Sequence, residues 1–391
     1  MANRKDSKGR VLHKGEYERA DGRYYFVYAN SKGKKCYLYA KTLVELREQE
    51  KQVQVDIFDG IDTSAGKITL NRLFEMNMEL KSDIKATTKT NYVNMWHSNV
   101  EVSTIGNKKI SELKQIHIKA FYNDCARNGL KRNTIKLLHN LIFSSLELAV
   151  DSDMIRKNPA KDCMKNIKAD AEEKKPLTEE EVQKLINFCN NSCYNLHTPF
   201  ITIAIGTCMR CGELTGLRWC DVDMKNRTIK VNHQLVYKNL GNGCAFHIST
   251  PKTKAGIRTI PMTESVYRAF MDIKKQNLLL GRRCNAEVDG FTDFVFLSGN
   301  GQPLAINAVN SFLLNIERAY NKENEEKIPH LSAHILRHTG CTIKAEQGTD
   351  PKALQYLMGH ADFGVTMNVY NHCSKERAEK EMRRIDKATN F

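Results

Sequence analysis

Between Leu331 and His360 the chain reads LSAHILRHTGCTIKAEQGTDPKALQYLMGH, and ten residues later Tyr370 closes ADFGVTMNVY. His334, Arg337, His338, His360 and Tyr370 therefore fall within 40 residues. On a helix, positions 334, 337 and 338 share one face at spacings of three and four. An H-x-x-x-H pair can hold zinc, but the metalloprotease form needs a glutamate after the first histidine. Here that residue is Ile335, and no third ligand stands out. His338 is accounted for by filling the inner side of the helix. Arg337 is not: among Ile335, Leu336 and Ile343, a buried guanidinium is costly unless it meets an anion.

Phosphate is the anion that suits arginine, because a planar guanidinium bonds two of its oxygens at once. Arg210, in MRCGE, offers a second such group. Together the two could hold both non-bridging oxygens and offset the charge that builds up in a pentacoordinate transition state. The chain has no Walker loop and no acidic cluster suited to magnesium. Phosphoryl transfer here then needs a nucleophile and an acid from the protein itself. Tyr370 can be the first. Lys252, in the turn PKTKAG, can be the second, with Lys254 as competitor and a purely phosphate-binding Lys252 as the alternative. His334 and His360 are left as proton or hydrogen-bond partners. No cofactor and no metal are expected.

The totals fit such a substrate. The chain has 391 residues, a net charge of +15 and 12 cysteines without a secreted-framework spacing. That length suggests two or three domains, and the charge a polyanionic partner. Reduced thiols, and an N-terminus MANRKDSKGR without the apolar stretch of a secretory signal, point to the cytoplasm. The positive excess is spread along the chain. Residues 67–165 hold 17 Lys and Arg against 10 Asp and Glu, and residues 175–391 hold 28 against 22. It is densest in residues 1–41, with 11 against 4.

The elements that must position these residues follow from periodicity. GEYERADGRYYFVYANSKGKKCYLYA predicts three strands, near Glu16–Ala20, Arg23–Tyr28 and Cys36–Ala40, then a helix from Leu43 to about Asp59. Six of the 14 tyrosines lie here, interleaved with Arg19, Arg23, Lys32, Lys34 and Lys35. Cross-strand aromatic packing and a basic ribbon laid into a DNA groove both fit that pattern. Helical periodicity rules from Thr69 to about Val150. TTKTNYVNMWHSNV is expected to open on a threonine cap, and the helix carrying Lys131, Arg132 and Lys136 to run on until Asn158-Pro159. IKADAEEKK reads as a linker, and Thr178-x-x-Glu181 as a capping box that opens a further domain. Strands are expected from Arg227, Cys244 and Ile257.

Taken together, MRCGE, TPKTKAGIRTIPM, HILRH, LMGH and Tyr370, in this order over about 160 residues, resemble the tyrosine recombinases or phage-type integrases. Among these, the integrases of conjugative transposons of Gram-positive bacteria are most similar. The resemblance implies a mainly α, multidomain chain. Residues 1–62 would be an arm-type DNA-binding domain with a small three-stranded sheet plus helix, and 67–165 a helical core-binding domain. Residues 175–391 would be a mostly α catalytic domain with a small antiparallel sheet and a C-terminal tail helix. It makes Tyr370 the nucleophile, Arg210 and Arg337 the phosphate clamp, Lys252 the acid, His334 and His360 the assisting residues, and Glu213 structural. Double-stranded DNA, a homotetramer around a four-way junction, an excisionase and a host DNA-bending protein are implied as partners. Cys211, and Gly340 after RHT, depart from the family pattern, which has an aromatic commonly at the latter. A type IB topoisomerase-like enzyme and a non-catalytic DNA-binding regulator with this fold are the alternatives.

Overall fold

The computed structural model describes residues 4–29, 33–59, 67–165, 167, 175–239, 243–251, 253–370 and 382. Two candidate site residues, Lys32 and Lys252, and all but Met382 of the segment after Tyr370 lie outside them. The chain divides into two compact units, residues 1–172 and 173–391. Among the described residues no helix is long and apolar enough to cross a membrane.

The first unit holds two separate cores. In the first of them, strands β1 (Glu16–Glu18), β2 (Tyr24–Ala29) and β3 (Lys35–Ala40) form an antiparallel sheet in that order. Period-two alternation sends Tyr24, Phe26 and Ala40 inward, where they pack with Leu43 and Leu46 of helix α1 (Leu43–Phe58). Thr42 caps α1 by accepting the Glu45 N–H. The other face of the sheet carries Tyr17, Tyr25 and Tyr39 directly opposite one another, with ring centroids 4.9 and 6.1 Å apart.

The second core is helical: α2 (Leu70–Leu80), α3 (Ala86–Trp96), α4 (Gln115–Arg127) and α5 (Arg132–Asp151). Trp96 stacks on Phe74 at 4.0 Å, and its indole N–H donates to Asn71. Two expectations are corrected here. Helix α3 starts at Ala86, ahead of the threonines, and Thr90 bonds back to the Ala86 carbonyl instead of capping an end. Helix α5 ends at Asp151, well short of Asn158-Pro159. Asp153 takes the left-handed conformation (φ +54°), and the Met154 N–H reaches back to the Ala149 carbonyl, a closure that satisfies the helix end locally. Asn158 instead braces the following turn through the Ala160 N–H and the Phe143 carbonyl.

The second unit is built around α7 (Thr198–Thr207), which is apolar on nearly all sides and buried. Around it lie α6 (Glu179–Asn190), α8 (Cys211–Thr215), α9 (Glu264–Leu279), α10 (Ile306–Glu323), α11 (Ala333–Glu346), α12 (Pro351–Met358) and α13 (Phe363–Tyr370). The capping box that opens α6 forms as expected, between Thr178 and Glu181. Two small antiparallel sheets replace the single one expected. One joins β4 (Val222–Asp223), β5 (Thr228–Val231) and β8 (Arg258–Pro261). The other is the hairpin of β6 (Gln234–Asn239) and β7 (Cys244–Ser249). Gly340 has a physical reason: a Cβ there would stand 2.1 Å from the Ile205 carbonyl oxygen and 2.8 Å from Cys208 Sγ. Helices α11 and α7 touch backbone to backbone at this point, and an aromatic could not be accommodated.

One buried group makes the N-terminal sheet pH-sensitive. Glu50 is 7% exposed on the inner face of α1, and its Oε1 has no hydrogen-bond partner among the described residues. Burial, and then the charge of fully buried Glu16, push its pKa up to about 7, while Glu16 itself is held ionised by Arg47. A carboxyl raised on folding contributes stability that is complete below its unfolded pKa and lost as pH rises through 7. Glu50→Gln is therefore expected to match the wild type near pH 4.5 and exceed it above pH 7, by on the order of 1 kcal/mol. Amide exchange of α1 in the full-length chain, corrected for intrinsic rates, measures the difference. Equal protection at pH 8 would contradict it.

Candidate active site

The site is assembled from the ends of helices. Helix α7 stops at Cys208, which adopts φ +54°, uncommon for a residue with a side chain. The reversal turns the Cys208 carbonyl toward α11 and brings Arg210 to the N-cap of α8. Glu213, in the first turn of α8, accepts the Arg210 backbone N–H at 2.9 Å and its Nη1 at 2.8 Å.

Helix α12 supplies the other half. Asp350 caps its start and Pro351 occupies its first turn, while Gly359 ends it in the left-handed conformation (φ +62°). The last carbonyls of a helix have no partner within it and carry its negative end. Here three successive ones each accept from a different arginine. Leu357 accepts from Arg258 Nε (2.8 Å), Met358 from Arg337 Nη2 (2.7 Å) and Gly359 from Arg210 Nη2 (3.2 Å). Arg337 also donates to the Cys208 carbonyl at 2.5 Å.

Buried Arg337 has carbonyl partners that its sequence neighbourhood did not show. It is 4% exposed, and neutral helix-end carbonyls satisfy its inner N–H groups. Burial, and then the nearby Arg210, push its pKa down to about 10, so it stays charged at neutral pH. Glu213 is the carboxylate beneath the cluster. Burial alone would raise its pKa, but the bond and charge of Arg258, with Arg210, outweigh it and hold the group ionised. Three guanidinium groups against one carboxylate leave two positive charges in excess, matching the formal charge of a phosphorane dianion.

His360 faces this excess. Its Nε2 lies 3.0 Å from Arg337 Nη2, and arginine has only donors, so Nε2 is the accepting nitrogen. Nδ1 then carries the proton, 3.0 Å from Thr366 Oγ1. Gln355 fixes the backbone, accepting the His360 N–H on its main-chain oxygen and donating its side-chain amide to the His360 carbonyl. Arg210, Glu213, His334, Arg337 and His360 line one cavity of about 690 Å³, together with Gln234, Pro251, Thr253 and Asp362. His334 is exposed, whereas His338, one turn further along α11, is half-buried and does not line the cavity. Among the described residues no cluster of His, Cys, Asp and Glu has the form of a metal site.

Tyr370 ends α13. Its ring packs beside Cys208, Cys341, Leu354 and Met358, and its hydroxyl donates to the Thr349 carbonyl at 2.6 Å. The remaining candidates lie in the first unit. Arg23 is tied to Asp21 by two bonds, Arg19 lies 5.8 Å over the Tyr39 ring, and Lys34 and Lys35 are exposed at the start of β3. Lys131, Arg132 and Lys136 are exposed at the start of α5. Arg258 and Gln355 were missed. Arg258 had a signal, since alternation in IRTIPM puts it on the same inward face as Ile260.

Arginines, a histidine and a tyrosine in this order along a mainly helical domain are those of a DNA strand-exchange enzyme. The chain belongs to the phage integrase family and is a tyrosine recombinase: the "Phage integrase family" model matches residues 175–377, and that of the "DNA binding domain of tn916 integrase" residues 1–57. It is 34% identical to the transposase from transposon Tn916 of Enterococcus faecalis, over 98% of this chain and 97% of that one. The transposase from transposon Tn1545 of Streptococcus pneumoniae matches equally well. Among solved structures, the Tn1549 transposon integrase in complex with a circular intermediate DNA is similar at 32% identity. It has a TM-score of 0.74 and covers 81% of this chain and 99% of that one. A lambda integrase tetramer bound to a Holliday junction, at 18% identity and TM-score 0.54, shares the fold.

The surroundings of His360 are testable directly. Burial, then Arg337, Arg210 and Arg258, push its pKa down to about 4. A histidine depressed on folding contributes stability that is complete above its unfolded pKa of ~6.5 and lost as pH falls through 4. Nitrogen NMR should show His360 as the neutral Nδ1–H tautomer throughout pH 8 to 5.5. Titration near 6.5 would show that the three arginines do not surround it.

Proposed function

We propose that the protein excises and integrates a mobile element by site-specific recombination, with Tyr370 as nucleophile. The observation that carries this reading is the convergence of Arg210, Arg337 and His360 on one cavity that a guanidinium-bound phosphate would suit. Arg210 and Arg337 hold the non-bridging oxygens of a scissile phosphate, and their unbalanced charge stabilises the phosphorane. Tyr370 Oη gives its proton to His334 and forms a bond to phosphorus, and the bond to the 5′-oxygen breaks. Lys252 gives that oxygen its proton, leaving a 3′-phosphotyrosyl link and a free 5′-hydroxyl. A 5′-hydroxyl of the second duplex reverses the step. His334 and His360 assist; His360 is uncharged and, accepting from Arg337 on Nε2, helps to hold that guanidinium toward the phosphate.

The phenol is engaged with Thr349, so attack requires that bond to be exchanged for one in the cavity. The tyrosine ladder of Tyr17, Tyr25 and Tyr39, flanked by Arg4, 4.5 Å over Tyr17, and by Arg19, supports a DNA-contacting role for residues 1–62 at arm sites. The exposed Lys131, Arg132 and Lys136 support one for residues 67–165 at core sites. Strand exchange between two duplexes calls for four protomers, and directionality for an excisionase and a host DNA-bending protein. The likeness to the Tn1549 and Tn916 proteins supports transposon ends as the substrate. Residues 175–391 then act as the catalytic domain with its tail.

Tyr370→Phe is expected to bind nicked DNA carrying the element end with unchanged affinity and to form no covalent adduct on a denaturing gel. A persisting adduct would assign the nucleophile elsewhere. Deletion of residues 1–62 is expected to spare cleavage of isolated core sites and to abolish recombination that depends on arm sites. The isolated segment should bind DNA with an affinity that falls steeply as salt rises. Undiminished recombination by the truncated protein would remove the arm-binding assignment.

A further inference from the structure

The arginine that sequence reasoning passed over has the most demanding position in the second unit. The Arg258 side chain is fully buried. Burying a guanidinium is costly unless its N–H groups are paired, and removing a partner leaves an uncompensated charge. Each of its three nitrogens is spent on a different element. Nη2 donates to Glu213 Oε2 (2.8 Å), Nε to the Leu357 carbonyl (2.8 Å) and Nη1 to the Gly256 carbonyl (3.0 Å). The first fixes the carboxylate that holds Arg210. The second fixes the helix end that receives Arg337 and precedes His360. The third fixes the 3₁₀ turn Lys254–Gly256, which begins two residues after Lys252 in the sequence.

The fit is close on every side. A Cβ at Gly359 would meet Arg258 Nη1 at 2.9 Å and the Ala255 carbonyl at 3.0 Å, so the turn and the end of α12 abut across this guanidinium. A Cβ at Gly256 would meet Pro251 Cβ at 2.5 Å, so the two ends of the loop are pressed together. Pro251 and Thr253, on either side of Lys252, both line the cavity. A lysine at position 258 could keep the charge beside Glu213, but it lacks the planar fork needed to reach all three partners.

We propose that Arg258 is a positioning residue for strand cleavage, setting the leaving-group side of the reaction against the phosphate clamp. It touches no substrate. It holds the turn that brings a proton to the departing 5′-oxygen at a fixed distance from the groups that hold the non-bridging oxygens. This rests on the reading of the cavity as the strand-cleavage site with a donor on that turn.

The test is single-turnover cleavage by the full-length protein of two nicked duplexes. One has an ordinary bridging 5′-oxygen and the other sulphur at that atom, since a thiolate leaves readily without a proton. Arg258→Lys should cleave the oxygen substrate at least tenfold more slowly than wild type, with DNA affinity unchanged. Its sulphur-to-oxygen rate ratio should rise at least tenfold. A merely structural role would slow both substrates alike, and an unchanged ratio overturns the proposal. Lys252→Ala, run in parallel, separates the two readings. If its ratio does not rise while that of Arg258→Lys does, the donor is another group on the turn and the positioning role stands. If neither rises, both fall. Should Arg258→Lys fail to fold, Arg258→Met with Glu213→Gln removes the buried charges together, and the same ratio decides.

Discussion

The carbonyl end of helix α12 is the feature on which the catalytic unit depends. Leu357, Met358 and Gly359 are the residues at which an α-helix runs out of internal partners, and each accepts from a different arginine. Arginines repel one another, and three of them side by side need a counter-field. The helix terminus provides part of it without a full negative charge, and Glu213 provides the rest from below. Because carbonyls and one carboxylate under-compensate three cations, the cluster keeps a positive excess toward the cavity.

That arrangement constrains the backbone around it. Gly359 must be glycine because its φ is +62° and because Arg258 and Ala255 leave no space for a side chain. Cys208 accepts an uncommon φ of +54° so that its carbonyl can meet Arg337, a strain of order 1 kcal/mol or more borne where the site needs it. Cys208 thus serves the site through its backbone and not its sulphur. The Cys208 oxygen and the turn into α8 are what count. Gly340 lets α11 lie against α7 closely enough to bring Arg337 to that oxygen. Local choices in four separate segments serve one electrostatic assembly.

In the first unit the same economy operates with different materials. The N-terminal sheet hides Tyr24 and Phe26 against α1 and turns Tyr17, Tyr25 and Tyr39 outward, so one run of tyrosines serves both as core and as an aromatic surface bordered by arginines. Beneath it the Glu16–Arg47 pair leaves Glu50 next to a fixed negative charge in a dry setting. The helical core of α2 to α5 carries its basic residues on the exposed start of α5, away from the Phe74–Trp96 stack.

Much of this was legible in the chain itself. Alternation marked the three N-terminal strands, helical periodicity and the Thr178 capping box marked the helices, and the order of Arg210, the Lys252 turn, Arg337, His360 and Tyr370 marked the family. These are local patterns, set by backbone geometry and by what each side chain can do. What the sequence could not decide depends on contacts between distant segments. Arg258 meets a carboxylate 45 residues away, and Arg337 meets a carbonyl 129 residues away. Reading Arg337 alone could not supply its carbonyl partners, because nothing in HILRH says that two helices end beside it. Nor could the chain alone show that Tyr370 rests on Thr349, or that His360 is neutral with its proton on Nδ1. Types and spacing determine which groups are available. Only packing decides which helix ends converge, and with them the field that sets each group's charge and direction.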